Sequence, residues 1–190
     1  MLSELQKRKF TLQFKLFDVD QNHLIEAADF ERMAQGLAST CGLTAPEQGD
    51  LLSRCREFWV AIRDACDTDR DGSITLEEWL DYHRSVLEQD RLRREAGRGY
   101  SSPFEVVTRF VFDLLDEDGD GRLTAEEYRK FCLVQGIDEV TADLSFRQLD
   151  RAGEGHLLRE EVVDMVLEFY FCDDPGVAGN WLFGPIPLSV

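Results

Sequence analysis

Two stretches of the sequence place carboxylates at the same fixed spacing. Residues 67 to 78 read DTDRDGSITLEE, and residues 116 to 127 read DEDGDGRLTAEE. Each has aspartate at positions 1, 3 and 5, glycine at position 6, an aliphatic residue at position 8 and glutamate at position 12. Carboxylate oxygens are ligands for hard divalent cations, and the larger of these ions take about six to eight oxygens. The spacing therefore predicts two cation-binding loops.

This spacing is that of the EF-hand calcium loop, in which the glycine permits the positive φ that turns the chain back. We number four candidate loops in chain order, so these two are loops two and three. Side chains at positions 1, 3 and 5, the carbonyl at 7, the residue at 9 through water and both oxygens at 12 are the expected ligands. They are Asp67, Asp69, Asp71, Ser73, Thr75 and Glu78 in loop two, and Asp116, Asp118, Asp120, Arg122, Thr124 and Glu127 in loop three.

Loop one, residues 18 to 29, reads DVDQNHLIEAAD and is less regular. His23 stands at position 6, where a positive φ costs a non-glycine residue roughly 1 kcal/mol. Asp29 at position 12 is one methylene shorter than glutamate, and six compact oxygen ligands suit magnesium. We interpret loop one as a mixed calcium and magnesium site, with a silent relic as the alternative. Its expected ligands are Asp18, Asp20, Asn22, the Leu24 carbonyl, Glu26 and Asp29.

Loop four, residues 150 to 161, reads DRAGEGHLLREE. It keeps Asp150, Gly155 and Glu161 at positions 1, 6 and 12, but Ala152 and Leu158 stand at positions 3 and 9. Losing a carboxylate and a water-polarising oxygen should lower the affinity by orders of magnitude. Loop four is therefore predicted to be a metal-free hand.

Helical spacing of apolar residues flanks the loops. Phe10, Phe14 and Phe17 fall at i, i+4 and i+7 before loop one, which predicts an entering helix. A single helix–loop–helix cannot bury its own apolar face, so the hands should pair. We expect an all-α fold: two pairs of EF-hands packed into one compact globule, with short β ladders between paired loops. The residues at position 8 should then face each other as Ile25 with Ile74 and Leu123 with Leu157.

The spacing of the loops predicts the domain organisation. The expected parts are an N-terminal lobe (1–87) with loops one and two, a linker (88–104), a C-terminal lobe (105–172) with loops three and four, and a tail (173–190) packing on the lobes. Residues 38–50 form a long insert within the first lobe. The linker arginines are interpreted as a solvated helix end, with a partner-docking patch as the alternative. They are Arg91, Arg93, Arg94 and Arg98.

Composition narrows the class of protein. The formal net charge of −17 disfavours binding to nucleic acid or anionic membranes, and the 43% of hydrophobic residues indicates a folded chain. The five cysteines form an odd set without a CxxC pair, which favours free thiols in a reducing compartment. No apolar run reaches membrane-spanning length, and the first residues lack the apolar region of a signal peptide. We expect a cytoplasmic monomer without membrane insertion.

Taken together, the loop motifs, their spacing and the tail FYFCDDPGVAGNWLFGP resemble the four-EF-hand sarcoplasmic calcium-binding proteins and their bacterial calerythrin-like relatives. That resemblance covers nearly the whole chain. It implies lobes packed face to face with the tail laid across them, and a function in cytosolic calcium buffering or transport, often with magnesium exchange. Trp181, Leu182 and Phe183 would plug the apolar faces.

Two other functions stay open at this point. A calcium sensor would expose a methionine-rich groove, but the chain has only three methionines. The architecture also resembles calcium-triggered photoproteins and luciferin-binding proteins, which hold a ligand among aromatic residues. Aromatic residues at helical spacing are more often core, and the sequence shows neither a nucleophile constellation nor a phosphate loop. We predict no enzymatic activity and calcium ions as the partner, and the sequence does not indicate any protein target.

Overall fold

In a computed structural model of the chain, the structure describes residues 1–95, 108, 112–113 and 115–186. Seven α-helices and four short strands are found within these residues. They are α1 (Glu4–Phe17), β1 (Leu24–Ile25), α2 (Ala27–Thr40), α3 (Ala45–Cys66), β2 (Ile74–Thr75), α4 (Leu76–Glu95), β3 (Arg122–Thr124), α5 (Ala125–Val134), α6 (Glu139–Leu149), β4 (His156–Leu158) and α7 (Arg159–Phe171), followed by a 3-10 turn (Ala178–Trp181).

Local hydrogen bonds fix where the helices begin and end. Helix α1 begins with a capping box, in which the Ser3 hydroxyl accepts from the Gln6 N–H and the Gln6 side chain accepts from the Ser3 N–H. Three entering helices end where the first loop residue donates its N–H to a carbonyl of the last turn. These pairs are Asp18 to Phe14, Asp67 to Arg63 and Asp150 to Phe146. Each loop therefore starts at a fixed helix end.

The loops are joined in pairs by two-stranded antiparallel ladders. Ile25 faces Ile74 between loops one and two, and Leu123 faces Leu157 between loops three and four. Both pairings confirm the prediction from position 8. All four residues are at most 3% exposed, so each ladder also anchors its loops in the core. The all-helical class with paired hands is the observed architecture.

Both lobes contribute to one hydrophobic core. Between α1 and α7, the ring of Phe10 lies 5.9 Å from the ring of Tyr170. Between α2 and α5, the side chain of Val134 packs against Gly36, where an added Cβ would lie 3.1 Å from Val134 Cγ1. The lobes thus cover each other's apolar helix faces.

Helix α4 brings two aromatic side chains into this core. The indole N–H of Trp79 donates to the Phe10 carbonyl at 3.0 Å, and the ring of Trp79 meets that of Phe17 edge to face at 5.7 Å. The ring of His83 stacks on Phe10 at 4.4 Å, with Nδ1 2.7 Å from the Trp79 carbonyl. Burial lowers the pKa of His83 to about 4, although its bond to Trp79 opposes this. His83 is therefore a neutral core residue at neutral pH.

The residues after α7 are seated on the C-terminal lobe. The Tyr128 hydroxyl lies 3.0 Å from the Trp181 carbonyl and 3.1 Å from the Leu182 carbonyl. The N–H of Gly179 donates to Glu168 Oε2 at 3.0 Å. A Cβ at Gly179 would lie 2.2 Å from the Met165 carbonyl oxygen, so only glycine permits this approach.

The junction of the C-terminal lobe and the tail also contacts α1 and its N-cap residue in the N-terminal lobe. The Lys9 ammonium, which is fully buried, donates to the Cys172 carbonyl at 2.8 Å, and the Ser3 hydroxyl donates to Asp173 Oδ1 at 2.5 Å. Desolvation lowers the pKa of Lys9, and nearby carboxylates oppose that shift. Contacts of the tail thus reach both lobes.

The predicted linker is only partly described. Residues 88–95 continue helix α4, whereas residues 96–104, including Arg98, and the side chains of Arg93 and Arg94 lie outside the described residues. Arg91 pairs with Glu88 at 2.5 Å and with Glu95 at 3.4 Å on its own helix, as a solvated helix end would. The insert 38–50 holds the end of α2 and the start of α3. The boundaries of the lobes stay a prediction.

Among the described residues, every helix is too short or too polar to cross a membrane.

Candidate metal centre

Carboxylates converge in loops one, two and three. In each of these loops, oxygens of three acidic residues lie within 4.8 Å of one another. The groups are Asp18, Asp20 and Asp29; Asp67, Asp69 and Asp71; and Asp116, Asp118 and Glu127. Within the described part of the chain, loop four provides no such group. Three of the predicted acidic ligands therefore converge in each of these loops, whereas the predicted ligands Glu26, Glu78 and Asp120 are not members of these groups.

Loop three offers the clearest test of whether a cation fits. Oδ2 of Asp116 accepts the Gly121 N–H at 3.0 Å, but Oδ1 is buried and has no hydrogen-bond donor among the described residues. A buried carboxylate oxygen without a donor costs free energy unless a cation or water compensates it. The position-1 ligand of loop three thus presents an oxygen that a cation would satisfy.

The twelfth residue closes each loop and also caps the exiting helix. In loops one to three, one of its oxygens accepts the N–H of position 2 and the other accepts the N–H of position 9. The position-2 distances are 3.1 Å from Val19, 3.0 Å from Thr68 and 2.9 Å from Glu117; the position-9 distances are 2.9 Å from Glu26, 2.9 Å from Thr75 and 2.8 Å from Thr124. The carboxylate is therefore oriented by the backbone before any ion binds.

In loop two this orientation also keeps Glu78 ionised. Burial would raise the pKa of Glu78, but bonds from the backbone and hydroxyl groups of Thr75 and Thr68 outweigh it and lower the pKa to about 2. Asp71 Oδ1 accepts both the N–H and the hydroxyl of Ser73 at 2.8 Å. Glu78 is thus ionised at neutral pH, and Asp69 and Asp71 of the same loop are exposed to solvent.

Loop one is built differently around its twelfth residue. Asp29 is fully buried, and burial raises its pKa, opposed by the hydrogen bonds from the backbone of Glu26 and Val19 and reinforced by the charge of Asp20. The guanidinium of Arg32 lies 2.9 Å from Asp20 and 3.3 Å from Asp29. The pairing of Arg32 with the carboxylates of loop one was not predicted from the sequence. Its signal was a basic residue three positions after an acidic one on the same helix.

Backbone conformation in the loops follows the prediction at position 6. His23 has a φ of 70°, in the same left-handed region as Gly72 at 91°, Gly121 at 80° and Gly155 at 77°. His23 is exposed to solvent. Position 4 also has positive φ, which the motif had not indicated; Gln21 and Arg70 occupy it at 58° and 63°. Two non-glycine residues in loop one therefore carry backbone strain.

The remaining predicted ligands lie in the same loops. In loop one, Asn22 Oδ1 accepts the Leu24 N–H at 2.8 Å, and Asn22 Nδ2 donates to Glu26 Oε2 at 3.1 Å. In loop three, Asp120 Oδ1 accepts the Arg122 N–H at 2.8 Å. These bonds shape the loops, and the assignment of each residue as a ligand stays a prediction.

Loop four shares hydrogen bonds at positions 1 and 12 with the other loops. Asp150 accepts the N–H groups of Glu154 and Gly155 at 3.0 and 2.8 Å, and Glu161 accepts the Leu158 N–H at 2.8 Å. Arg151 at position 2 forms an ion pair with Glu168 at 2.6 Å, the same carboxylate that holds the tail. Backbone N–H groups thus satisfy the carboxylates of Asp150 and Glu161.

Comparison with known proteins identifies the family. Residues 64–133 match the model described as an EF-hand domain pair. A probable calcium-binding protein of Oryza sativa subsp. japonica, CML16, is 31% identical over 88% of this chain and 79% of its own length. The chain belongs to the EF-hand family. Calerythrin of Saccharopolyspora erythraea is 23% identical over 90% of this chain and 95% of its own length. The alpha chain of a sarcoplasmic calcium-binding protein of Penaeus vannamei is 24% identical, covering 95% and 94%.

Solved structures share the fold. The coelenterazine-binding protein of Renilla muelleri matches 97% of this chain and 99% of its own, with a TM-score of 0.75 and 20% identity. A sarcoplasmic calcium-binding protein from amphioxus matches 98% and 100%, with a TM-score of 0.73 and 18% identity. This EF-hand protein is thus a calcium-binding protein related to calerythrin and the sarcoplasmic proteins, and not an enzyme.

Proposed function

We propose that this EF-hand protein is a calcium buffer that binds divalent cations in loops one, two and three and leaves loop four without metal. The ligands would be those assigned by position in each loop, with Asp29, Glu78 and Glu127 at position 12. Loop one would exchange calcium for magnesium, because its twelfth carboxylate is short. The three groups of converging oxygens and the donor-free oxygen of Asp116 support this proposal.

The observation that carries the buffer function is that the inner faces of the hands are covered. Trp79 and Tyr128, each the first residue after its loop, are 3% and 2% exposed. Trp79 binds a carbonyl of α1, and Tyr128 binds carbonyls of the tail. A sensor must expose such a face, often rich in methionine, when calcium binds. Met33 and Met165 are buried at 7% and 5% exposure, which favours a buffer.

A calcium titration in the presence and absence of millimolar magnesium tests this function, with a hydrophobic dye as a second readout. We expect two or three calcium sites, one of them weakened by magnesium, and little increase in dye fluorescence. A large calcium-induced rise in dye fluorescence would show an exposed apolar groove and would replace the buffer with a sensor. Four calcium sites would contradict the metal-free assignment of loop four.

A cytoplasmic location is part of the proposal. All five cysteines are free thiols. Burial raises the pKa of Cys55 to about 11 and of Cys66 to about 12, which keeps both thiols protonated and unreactive. Cell fractionation checks this location, because a protein found only in an oxidising compartment would contradict it.

The aromatic cluster gives little support to a ligand-carrying function of the kind named for the Renilla protein. The ring of His83 lies 4.4 Å from that of Phe10 and 5.6 Å from that of Tyr170, and Gln13 binds the Tyr170 hydroxyl. Rings at these separations are packed on one another as a core is. An absorption band of the purified protein in the visible range would reveal a carried chromophore and overturn this assignment.

A further inference from the structure

One positively charged side chain enters the ligand set of loop one. Arg32 lies on α2, three residues after Asp29. Its Nη1 is 2.9 Å from Oδ2 of Asp20 and 3.3 Å from Oδ1 of Asp29. These carboxylates stand at positions 3 and 12 of the loop, so a single nitrogen bridges two of the expected metal ligands.

We propose that Arg32 sets the cation affinity of loop one by serving as an intramolecular counter-cation. In the metal-free loop its guanidinium neutralises Asp20 and Asp29. A divalent cation must displace the guanidinium from these oxygens when it binds. This proposal rests on the function proposed above, in which loop one is a cation site.

The hydrogen bonds of the two carboxylates explain the competition. Oδ1 of Asp20 accepts the Asn22 N–H at 3.2 Å, which leaves Oδ2 as the oxygen taken by Arg32. Oδ2 of Asp29 accepts the Glu26 N–H and Oδ1 accepts the Val19 N–H, so Arg32 shares an oxygen already in use. A dication and a guanidinium on the same oxygens repel each other at short range. Binding is therefore weaker for as long as Arg32 stays.

Burial makes the pairing matter in the metal-free protein. The Asp29 side chain is 0% exposed, whereas that of Arg32 is 44% exposed. A buried carboxylate without a cation is costly, so removal of Arg32 should weaken the metal-free fold. The exposed stem of Arg32 lets the guanidinium swing into water once a metal ion has neutralised the loop.

In the part of the chain that the structure describes, loops two and three have no ion pair that corresponds to the one made by Arg32 in loop one. The residue equivalent to Arg32 is Asp81 after loop two and Lys130 after loop three. Lys130 pairs with Glu117 at 2.7 Å, and Glu117 stands at position 2, which is not a ligand position. Within the described residues, no lysine or arginine forms an ion pair with a ligand-position carboxylate of either loop. Arg32 therefore acts on loop one alone.

Arg32→Gln tests the proposal in a background where loops two and three are disabled by Glu78→Gln and Glu127→Gln. Calcium binding measured by calorimetry then reports on loop one. We expect Arg32→Gln to raise the calcium affinity by about tenfold, the size of effect of one charge-assisted hydrogen bond. In EDTA the same change should lower the midpoint of thermal unfolding. A higher calcium affinity together with a lower midpoint of thermal unfolding would identify a counter-cation. Removal of a residue with only a structural role would lower both quantities.

Arg56→Gln is the matched control. Arg56 pairs with Glu31 at 2.7 Å across α2 and α3, so this substitution removes the same charge from the same region without touching the loop. It should change the calcium affinity by less than about twofold. An equal gain from Arg56→Gln would show a general charge effect and overturn the proposal for Arg32.

Two further outcomes distinguish failure of the proposed function of loop one from failure of the proposed role of Arg32. If the background binds no calcium with or without Arg32→Gln, while circular dichroism shows that it is folded, loop one is not a site; the proposed function of that loop then falls together with the role of Arg32. If calcium binds to the background protein and to its Arg32→Gln variant with equal affinity, or more weakly to the variant, loop one is a cation site. The proposed role of Arg32 as a counter-cation is then overturned.

Discussion

Loops one and two are partners in one ladder, yet their twelfth carboxylates lie in opposite environments. Asp29 is buried, and its pKa is raised, chiefly by that burial. Glu78 is partly exposed, and hydrogen bonds from Thr75 and Thr68 overcome desolvation and lower its pKa to about 2. Both residues accept the same two backbone N–H groups of their loops. The loop motif thus sets the position of this carboxylate, whereas packing around the loop sets how readily the carboxylate binds a cation.

The largest difference should be seen when the twelfth ligand is removed. Glu78→Gln should lower the calcium affinity of loop two by about a thousandfold, because it removes a charged bidentate ligand. Asp29→Asn should cost loop one only about tenfold, since a short carboxylate held by Arg32 contributes less. Calorimetric titration of each variant measures both losses. Glu161→Gln in loop four is the control, and any weakening of total binding by it would contradict a metal-free fourth hand.

Carbon-13 NMR titration of the metal-free protein should show the two carboxylates taking up protons at different pH. The Glu78 carboxylate should stay ionised down to about pH 2, whereas Asp29 should take up its proton above its ordinary value of 3.8. Stability contributed by Glu78 is thus present above its ordinary value of 4.5 and is lost as the pH falls towards 2. The free-energy cost of burying the ionised Asp29 carboxylate is instead removed as the pH falls, because the carboxylate takes up a proton. Identical titration of the two carboxylates would remove the contrast.

Exchanging the two acidic residues should move the ion preference with them. Asp29→Glu should favour calcium over magnesium at loop one by about tenfold, because a second oxygen can then reach a larger ion. Glu78→Asp should shift loop two in the opposite direction. Calcium titrations with and without magnesium measure both preferences. An unchanged ratio in both variants would show that the length of the twelfth side chain does not decide selectivity.

The smallest effect concerns the bend of the loop. His23 and Gly72 occupy the same position at φ values of 70° and 91°. His23→Gly should stabilise the protein by about 0.5 kcal/mol, because relief of left-handed strain is partly offset by chain entropy. Gly72→His should destabilise it by about 1 kcal/mol. Urea unfolding of both variants gives the two values, and equal signs would contradict the strain.

The sequence was sufficient for those features that the loop motif fixes locally. The positive φ of His23 follows from position 6 of the loop, and the pairing of Ile25 with Ile74 follows from position 8 of two paired loops, because the motif defines both positions. The ion pairs of Arg32 and the close packing of Gly179 against the Met165 carbonyl depend on which groups come into contact after the helices have packed. The pKa contrast between Asp29 and Glu78 likewise depends on burial, which the motif does not contain.

Trp79 gives this molecule a built-in optical reporter. It directly follows Glu78, and its indole is fixed by the Phe10 carbonyl and the ring of Phe17. The other two tryptophans lie elsewhere, Trp59 within α3 and Trp181 in the tail. Replacing these two with phenylalanine would leave Trp79, beside loop two, as the single tryptophan. Its emission spectrum would then follow ion occupancy of that loop in real time, without any attached dye.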